Sequence, residues 1–324
     1  MKVLVTGRIP DEVRAQLAAA HQVQVNPLDR PMARADILGR LADTEGLLCM
    51  ISDVIDAELL DHAPRLKAIA NHGVGYDNID VAAATARGIP VSNTPGVLTD
   101  ATADITVGLI LAVARRMVEG DRRNRAGRFR HWAPLLFLGT EVTAKTLGIV
   151  GLGRIGRAVV KRCRGFEMKA IYHSRTRLGA REEAALGVSY RSLEALLAEA
   201  DFVSLHVPLT PATRHLIGAA ELRRMKACAG LINTSRGPVV DEAALVAALE
   251  AGVIRGAGLD VYENEPRMAP GLAQLDSAVL LPHVGSATWE TRTRMARLAA
   301  RNLLAALAGN PPPNCLNPEV FQSG

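Results

Sequence analysis

Aromatic residues are scarce in this 324-residue chain, with Phe, Trp and Tyr together making up 3%. The cores must therefore be built from Ala, Leu, Val and Ile, which the 48% hydrophobic fraction supplies. Cysteine is also sparse. Cys49, Cys163, Cys228 and Cys315 stand far apart with no CxxC pair, which argues against a disulfide framework and a structural zinc site. His21, His62, His131, His173 and His215 show no ligand spacing, so no metal is implied. Long apolar runs are missing too. The longest, Ile105 to Ala114, is too short to span a bilayer. Met1 leads directly into a strand-like run, so no signal peptide is expected. These absences point to a soluble cytoplasmic protein with no membrane partner.

The formal net charge is +5, and the cations are spread along the chain. The densest run is Arg122, Arg123, Arg125, Arg128 and Arg130. It reads as a solvated face or a subunit contact, and a nucleic-acid partner is not expected.

A length of 324 residues favours two domains over one core. Short β-type runs (Lys2–Thr6, Val23–Asn26, Gly46–Met50, Leu66–Asn71) alternate with helical segments such as Asp11–Ala20 and Arg34–Leu41. That alternation predicts parallel sheets covered on both faces. Pro95 and Gly96 punctuate a break near 92–99, and a long helix is expected from Asp100 to about Arg125. A second series begins at Thr146–Val150 and continues through Lys169–His173, Phe202–His206, Leu231–Asn233, Gly256–Asp260 and Val279–Leu281. A last helix covers Glu290 to about Ala308. Strand counting predicts an α/β chain of two doubly wound parallel-sheet domains, Rossmann-like or flavodoxin-like, with a cleft between them. Residues 1–98 with 287–324 form one domain, and residues 99–286 form the other.

The strongest local motif is Gly151-Leu152-Gly153-Arg154-Ile155-Gly156, a GxGxxG between an apolar strand and a helical stretch. Gly151 permits the tight turn, Gly153 lets backbone approach a pyrophosphate, and Gly156 lets helix and strand pack closely. The helix N-terminus offers free N–H groups and partial positive charge. In a dinucleotide site the next strand usually ends in an acid that holds the ribose 2′-hydroxyl. Here it ends in His173-Ser174-Arg175-Thr176-Arg177, with no acid. Arg175 suits a 2′-phosphate, and Ser174 and Thr176 supply hydroxyl donors, so NADP(H) is preferred with NAD(H) as an alternative. A basic solvated turn is the plainer reading.

Three further segments carry polar groups just after apolar strands: Asn233-Thr234-Ser235-Arg236-Gly237, Gly258 to Pro266 with Asp260 and Glu265, and Pro282-His283-Val284-Gly285-Ser286-Ala287-Thr288. The order GxGxxG, SRG, DVxxxEP and PHxGSAT, with Asn71 to Asp80 upstream, resembles the D-isomer-specific 2-hydroxyacid dehydrogenases over nearly the whole length. Within that family the sequence looks closest to glyoxylate/hydroxypyruvate reductases and 2-ketogluconate reductases. The resemblance implies a homodimer that transfers hydride to a small 2-keto acid.

It also implies site roles that make chemical sense. Arg236 binds the carboxylate with its planar fork and polarises the keto oxygen. His283 donates the proton, and Glu265 holds its second ring nitrogen. Val74 and Gly75 grip the carboxylate through backbone N–H groups, unless they serve turn geometry alone. Met50 either caps the reacting carbon or is a core residue. Thr102 stands beside the nicotinamide or is a helix N-terminal hydroxyl. Val207, Pro208, Thr213, Thr234, Ser235, Asp260, His283 and Gly285 complete the cofactor contacts. Trp132 either joins a subunit interface, reaches the partner's cleft or packs within its own subunit. The non-enzyme alternative is a dinucleotide-sensing interaction protein.

Overall fold

The computed structural model describes residues 1–322. The chain divides into two compact units, Met1–Leu98 with Ala287–Gly324, and Thr99–Ser286. In the first unit the elements run β1 (Lys2–Val5), α1 (Asp11–Ala18), β2 (Gln22–Val25), α2 (Arg34–Leu41), β3 (Gly46–Met50), α3 (Ala57–Asp61), β4 (Ala68–His72), α4 (Val81–Ala86) and β5 (Val91–Ser92). The five strands form one parallel sheet in the order β2-β1-β3-β4-β5. Alternate side chains enter opposite cores. Leu4, Leu47, Cys49 and Ile69 pack with Ile37, Leu41 and Leu59, whereas Val3, Val5, Leu48 and Ala70 pack with Val13 and Leu17. The short helices α3 and α4 are fixed by their caps, with Asp56 accepting from Leu59 N–H and Asp80 from Ala83 N–H.

The second unit runs α5 (Thr99–Ala114), α6 (Met117–Arg125), β6 (Thr146–Val150), α7 (Arg154–Cys163), β7 (Lys169–His173), α8 (Ala180–Leu186), β8 (Val188–Tyr190), α9 (Leu193–Glu199), β9 (Phe202–Leu205), α10 (Ala219–Arg224), β10 (Gly230–Asn233), α11 (Glu242–Glu250), β11 (Gly256–Leu259) and β12 (Ala278–Leu280). Its seven-stranded sheet has the order β12-β11-β10-β9-β6-β7-β8. The order reverses between β6 and β9, where doubly wound sheets place their ligands at the carboxyl ends of the strands. Helix α5 lies close on β10 and β11 because Gly230, Gly256 and Gly258 face Val113 and Leu109; a Cβ on Gly258 would stand 3.0 Å from Leu109 Cβ.

The single long helix expected from Asp100 to Arg125 is two helices. Arg116 turns into the left-handed region at φ 52° and starts α6. Neither Gly nor Pro marks this break in the sequence. Its cause is tertiary: Thr140 N–H caps the Ala114 carbonyl at 2.7 Å, and the Arg116 guanidinium lies 4.1 Å over the Phe137 ring while pairing with Glu119. Helix α6 has no buried residue. Helix α12 (Trp289–Leu307) belongs to the first unit, where Ala296, Ala299, Ala300 and Leu303 pack under its sheet. Among the described residues no helix is long and apolar enough to cross a membrane.

Candidate active site

In the second unit the glycine motif leaves β6 and enters α7. Gly151 has φ +96°, and a Cβ there would strike the His206 carbonyl oxygen at 2.7 Å. A Cβ on Gly156 would strike the Gly151 oxygen at 2.5 Å, so this glycine sets the helix–strand approach. At Gly153, by contrast, a Cβ would meet no chain atom within 4 Å. The chain's own packing does not require glycine at 153. The open space beside its backbone leaves room for a bound group to approach, so the loop fits a pyrophosphate. The Leu152 side chain is buried in the core and Ile155 packs against it, and with the Leu152 N–H taken by Ser174 Oγ it is the first N–H groups of α7 that are left for a ligand.

Around this loop the expected contacts divide. Ser174 Oγ accepts the Leu152 N–H at 2.9 Å and braces the loop from β7. Its oxygen is thus engaged with the chain, and its O–H hydrogen remains able to donate. Arg175 and Thr176 are exposed and, among the described residues, hydrogen-bond to nothing in the chain. Arg177 instead pairs with Glu183 and stacks on Tyr190. Thr213 Oγ1 donates to the Pro208 carbonyl and accepts the Thr210 N–H, tightening the turn after β9 beside Val207. His206 is pushed down to about 3 by burial and stays neutral, with Nε2 bonded to Ser204.

The turn after β10 is folded by Asn233, which sequence reasoning did not single out. Its Oδ1 accepts from Ser235 N–H and Oγ, and its Nδ2 donates to the Arg236 carbonyl at 2.9 Å. Gly237 then seats this turn directly on the next one. A Cβ on Gly237 would lie 1.8 Å from the Tyr262 carbonyl carbon. Tyr262 O–H donates to the Leu281 carbonyl at 2.9 Å and links that turn to the segment after β12. Burial, then the charges of Asp260, Glu242 and Glu265, push its hydroxyl up to about 12, so it remains a donor.

These links converge on His283 and Glu265. His283 Nδ1 lies 2.8 Å from Glu265 Oε2, and Glu265 Oε1 accepts the Tyr262 N–H at 3.0 Å. Burial opposes the Glu265 charge, but the His283 hydrogen bond and charge, the Tyr262 N–H and the Arg236 charge outweigh it and hold the carboxyl below its ordinary range. An ionised carboxylate only accepts, so Nδ1 carries the hydrogen and Nε2 is left to exchange a proton with another group. Arg236 precedes Gly237 on the turn seated against Tyr262, and its charge bears on Glu265.

Asp260, just after β11, holds the segment that follows His283. It is 1% exposed, and its two oxygens accept the Val284 and Gly285 N–H groups, each at 2.7 Å. Thr102 is buried in the first turn of α5, with its side chain beside Gly285. Thr106 gives its only hydroxyl hydrogen to the Thr102 carbonyl, so Thr234 donates to Thr106 Oγ1 at 2.9 Å.

The remaining expected residues, Met50, Val74 and Gly75, are in the first unit. Met50 ends β3 half-buried against Gly7, and Val74 and Gly75 form the turn after β4. Trp132 is 77% exposed and therefore does not pack within its own subunit.

The sequence pattern described as D-isomer specific 2-hydroxyacid dehydrogenase, NAD binding domain, matches residues 107–285. The chain belongs to the D-isomer-specific 2-hydroxyacid dehydrogenase family. As a member of this oxidoreductase family it is 50% identical over 326 residues to a glyoxylate reductase of Thermococcus litoralis, covering 99% of this chain and 98% of that one. It is 49% identical to a glyoxylate reductase of Korarchaeum cryptofilum, covering 99% and 97%. Among solved structures, an NADPH-dependent glyoxylate/hydroxypyruvate reductase of Sinorhizobium meliloti in complex with NADP and malonate superposes with a TM-score of 0.84 at 35% identity, covering 97% of this chain and 96% of that one.

Proposed function

We propose that this dehydrogenase uses NADPH to reduce a small 2-keto acid, glyoxylate or hydroxypyruvate, to glycolate or D-glycerate. The observation that carries the reading is the His283–Glu265 pair under the charge of Arg236. The names of its relatives support the substrate class. Arg236 pairs with the substrate carboxylate and polarises the keto oxygen, and the Val74 and Gly75 N–H groups are further carboxylate donors. His283 Nε2 gives its proton to the keto oxygen as charge develops there, while Glu265 compensates the imidazole's charge. Met50 packs beside the reacting carbon. When bound, the reduced nicotinamide supplies the hydride.

The backbone from Gly151 to Gly156, at the N-terminus of α7, would hold the pyrophosphate. Arg175, Thr176 and the Ser174 O–H would hold the 2′-phosphate, and the exposed, unengaged Arg175 supports NADP(H) over NAD(H). Thr102, Val207, Pro208, Thr213, Thr234, Ser235, Asp260 and Gly285 complete the cofactor's surroundings. Asp260 does so by fixing the loop of His283.

A homodimer acting in the cytoplasm completes the reading. Helix α6 buries nothing, and Phe129, Trp132, Leu135 and Leu138 are all more than half exposed, which supports a second copy covering this stretch. The free cysteines fit a reducing compartment.

The deciding experiment follows NADPH oxidation with glyoxylate, hydroxypyruvate and 2-ketogluconate. Turnover with the first two is expected. Preference for 2-ketogluconate would move the assignment to that branch, and no turnover with any keto acid would favour a dinucleotide-sensing protein.

A further inference from the structure

The turn after β4 is held by its carbonyls. Thr94 N–H donates to the Gly73 carbonyl at 2.9 Å, Asn93 Nδ2 to the Val74 carbonyl at 2.7 Å, and Asn71 Nδ2 to the Gly75 carbonyl at 2.7 Å. Ile79 N–H takes the Tyr76 carbonyl at 3.0 Å. Every carbonyl from residue 73 to 76 is thus drawn back into the chain. Among the described residues, the N–H groups of Val74, Gly75 and Tyr76 donate to nothing in the chain. Each peptide plane is rigid, so fixing its oxygen fixes where its N–H points. Successive N–H groups left without a partner in a bend are available to an anion.

The two amides that do this are themselves immobilised. Asn71 is fully buried, and its Oδ1 faces Cys49 Sγ at 3.6 Å and Asn78 Nδ2 at 3.5 Å. Asn93 is 7% exposed and is held from both sides of its backbone: Asn302 Nδ2, from inside α12, donates to its carbonyl at 2.9 Å, and its N–H donates to the Asn314 carbonyl at 3.3 Å. Asn302 is fully buried. A leucine of similar size would fill each space, so these buried amides are used for their hydrogen-bonding directions.

We propose that Asn93, braced by Asn302 from α12, and Asn71 are positioning residues for the carboxylate grip: Asn93, on the Val74 carbonyl, aims the Gly75 N–H at the substrate carboxylate, and Asn71, on the Gly75 carbonyl, aims the neighbouring Tyr76 N–H. This rests on the reading of that turn as the carboxylate grip. The grip acts equally on substrate and transition state, so its loss is read in KM and hardly in kcat.

The test measures glyoxylate kinetics and inhibition by oxalate, a dicarboxylate that is not reduced, for the full chain. Asn93→Ala is expected to raise KM for glyoxylate and to weaken oxalate inhibition, each by about tenfold, with kcat within about threefold. Asn302→Ala should give a smaller effect of the same kind, because Asn93 keeps its donor but loses its brace. Asn93→Ser, which retains a shorter donor, should fall between wild type and Asn93→Ala. It also serves as the test if the alanine variant does not fold. NADPH affinity, measured by fluorescence titration, should be unchanged in all three. Unchanged KM and oxalate affinity in a folded Asn93→Ala or Asn93→Ser protein, or a fall in kcat with constant KM, would overturn the proposal. Wild-type protein that turns over no keto acid would instead overturn the reading of function beneath it.

Discussion

Nδ1 of His283 and Oε2 of Glu265 lie 2.8 Å apart, and the other Glu265 oxygen is occupied by the Tyr262 N–H. On the proposed function, in which His283 donates the proton, His283→Gln should lower kcat for keto-acid reduction by about 10²–10⁴-fold. NADPH affinity measured by titration should stay near wild type. Retained turnover would show that the proton comes from another group.

Glu265→Gln carries a pH signature in stability. The folded carboxyl is held below its ordinary range, so it binds a proton less readily than in the unfolded chain. Its stabilising contribution is present above the ordinary glutamate range and is lost as pH falls through the lowered folded value. The Tm deficit of Glu265→Gln should therefore be present at neutral pH and close in acid.

Glu242 should behave in the opposite sense. This residue opens α11 at 4% exposure, with one oxygen on the Ala269 N–H, and its N–H meets Glu263. Burial, followed by the charges of Glu263 and Glu265, raises its carboxyl above the ordinary range against the pull of its hydrogen bonds. Above that raised value the ionised side chain costs stability, and the cost fades as pH falls through it. Glu242→Gln keeps the acceptor for Ala269 and is expected to raise Tm in mildly alkaline buffer, by about 2–4 °C for each kcal/mol relieved. The gain should shrink in acid. A lower Tm at every pH would contradict this account.

Arg175→Ala should reduce kcat/KM with NADPH by about 10–100-fold, the usual range for one hydrogen-bonded charge. The value with NADH should change little. If both cofactors lose equally, the side chain does not read the 2′-phosphate.

Gly237→Ala is expected to be severe although it adds only a methyl group. The added carbon would stand 1.8 Å from the Tyr262 carbonyl carbon and 1.9 Å from its oxygen, both backbone atoms. The Arg236 and Glu265 turns must separate or the sheet must distort. A destabilisation of about 3 kcal/mol or more in denaturant melts is expected, with activity lost alongside. A stable, active variant would mean the two turns are not seated on one another.

Much of this was legible in the sequence because the signals are local. Apolar runs such as Gly46–Met50 and Thr146–Val150 match strands residue for residue. Arg236, Glu265 and His283 each follow an apolar run, so they could be assigned to the carboxyl edge of one sheet without coordinates. What stayed hidden depends on contacts between distant segments. The break at Arg116 is made by Phe137 and Thr140, not by a helix breaker. The brace from Ser174 Oγ to the Leu152 N–H joins the ends of two strands and has no local signal. Asn71 and Asn93 have no periodicity to betray them, because their meaning lies in carbonyls supplied by the Val74–Gly75 turn. Strand β8 is three residues long and reads as coil.

His283 itself occupies the left-handed backbone region, at φ 55°, which side chains other than glycine's rarely adopt. Left alone, the peptide would relax out of it. Asp260, clamping the two N–H groups that follow, does not allow that. The imidazole is consequently aimed before any ligand arrives, so the proposed proton delivery would need little reorganisation. Folding has already met the cost of that alignment, and the proposed chemistry would inherit the result.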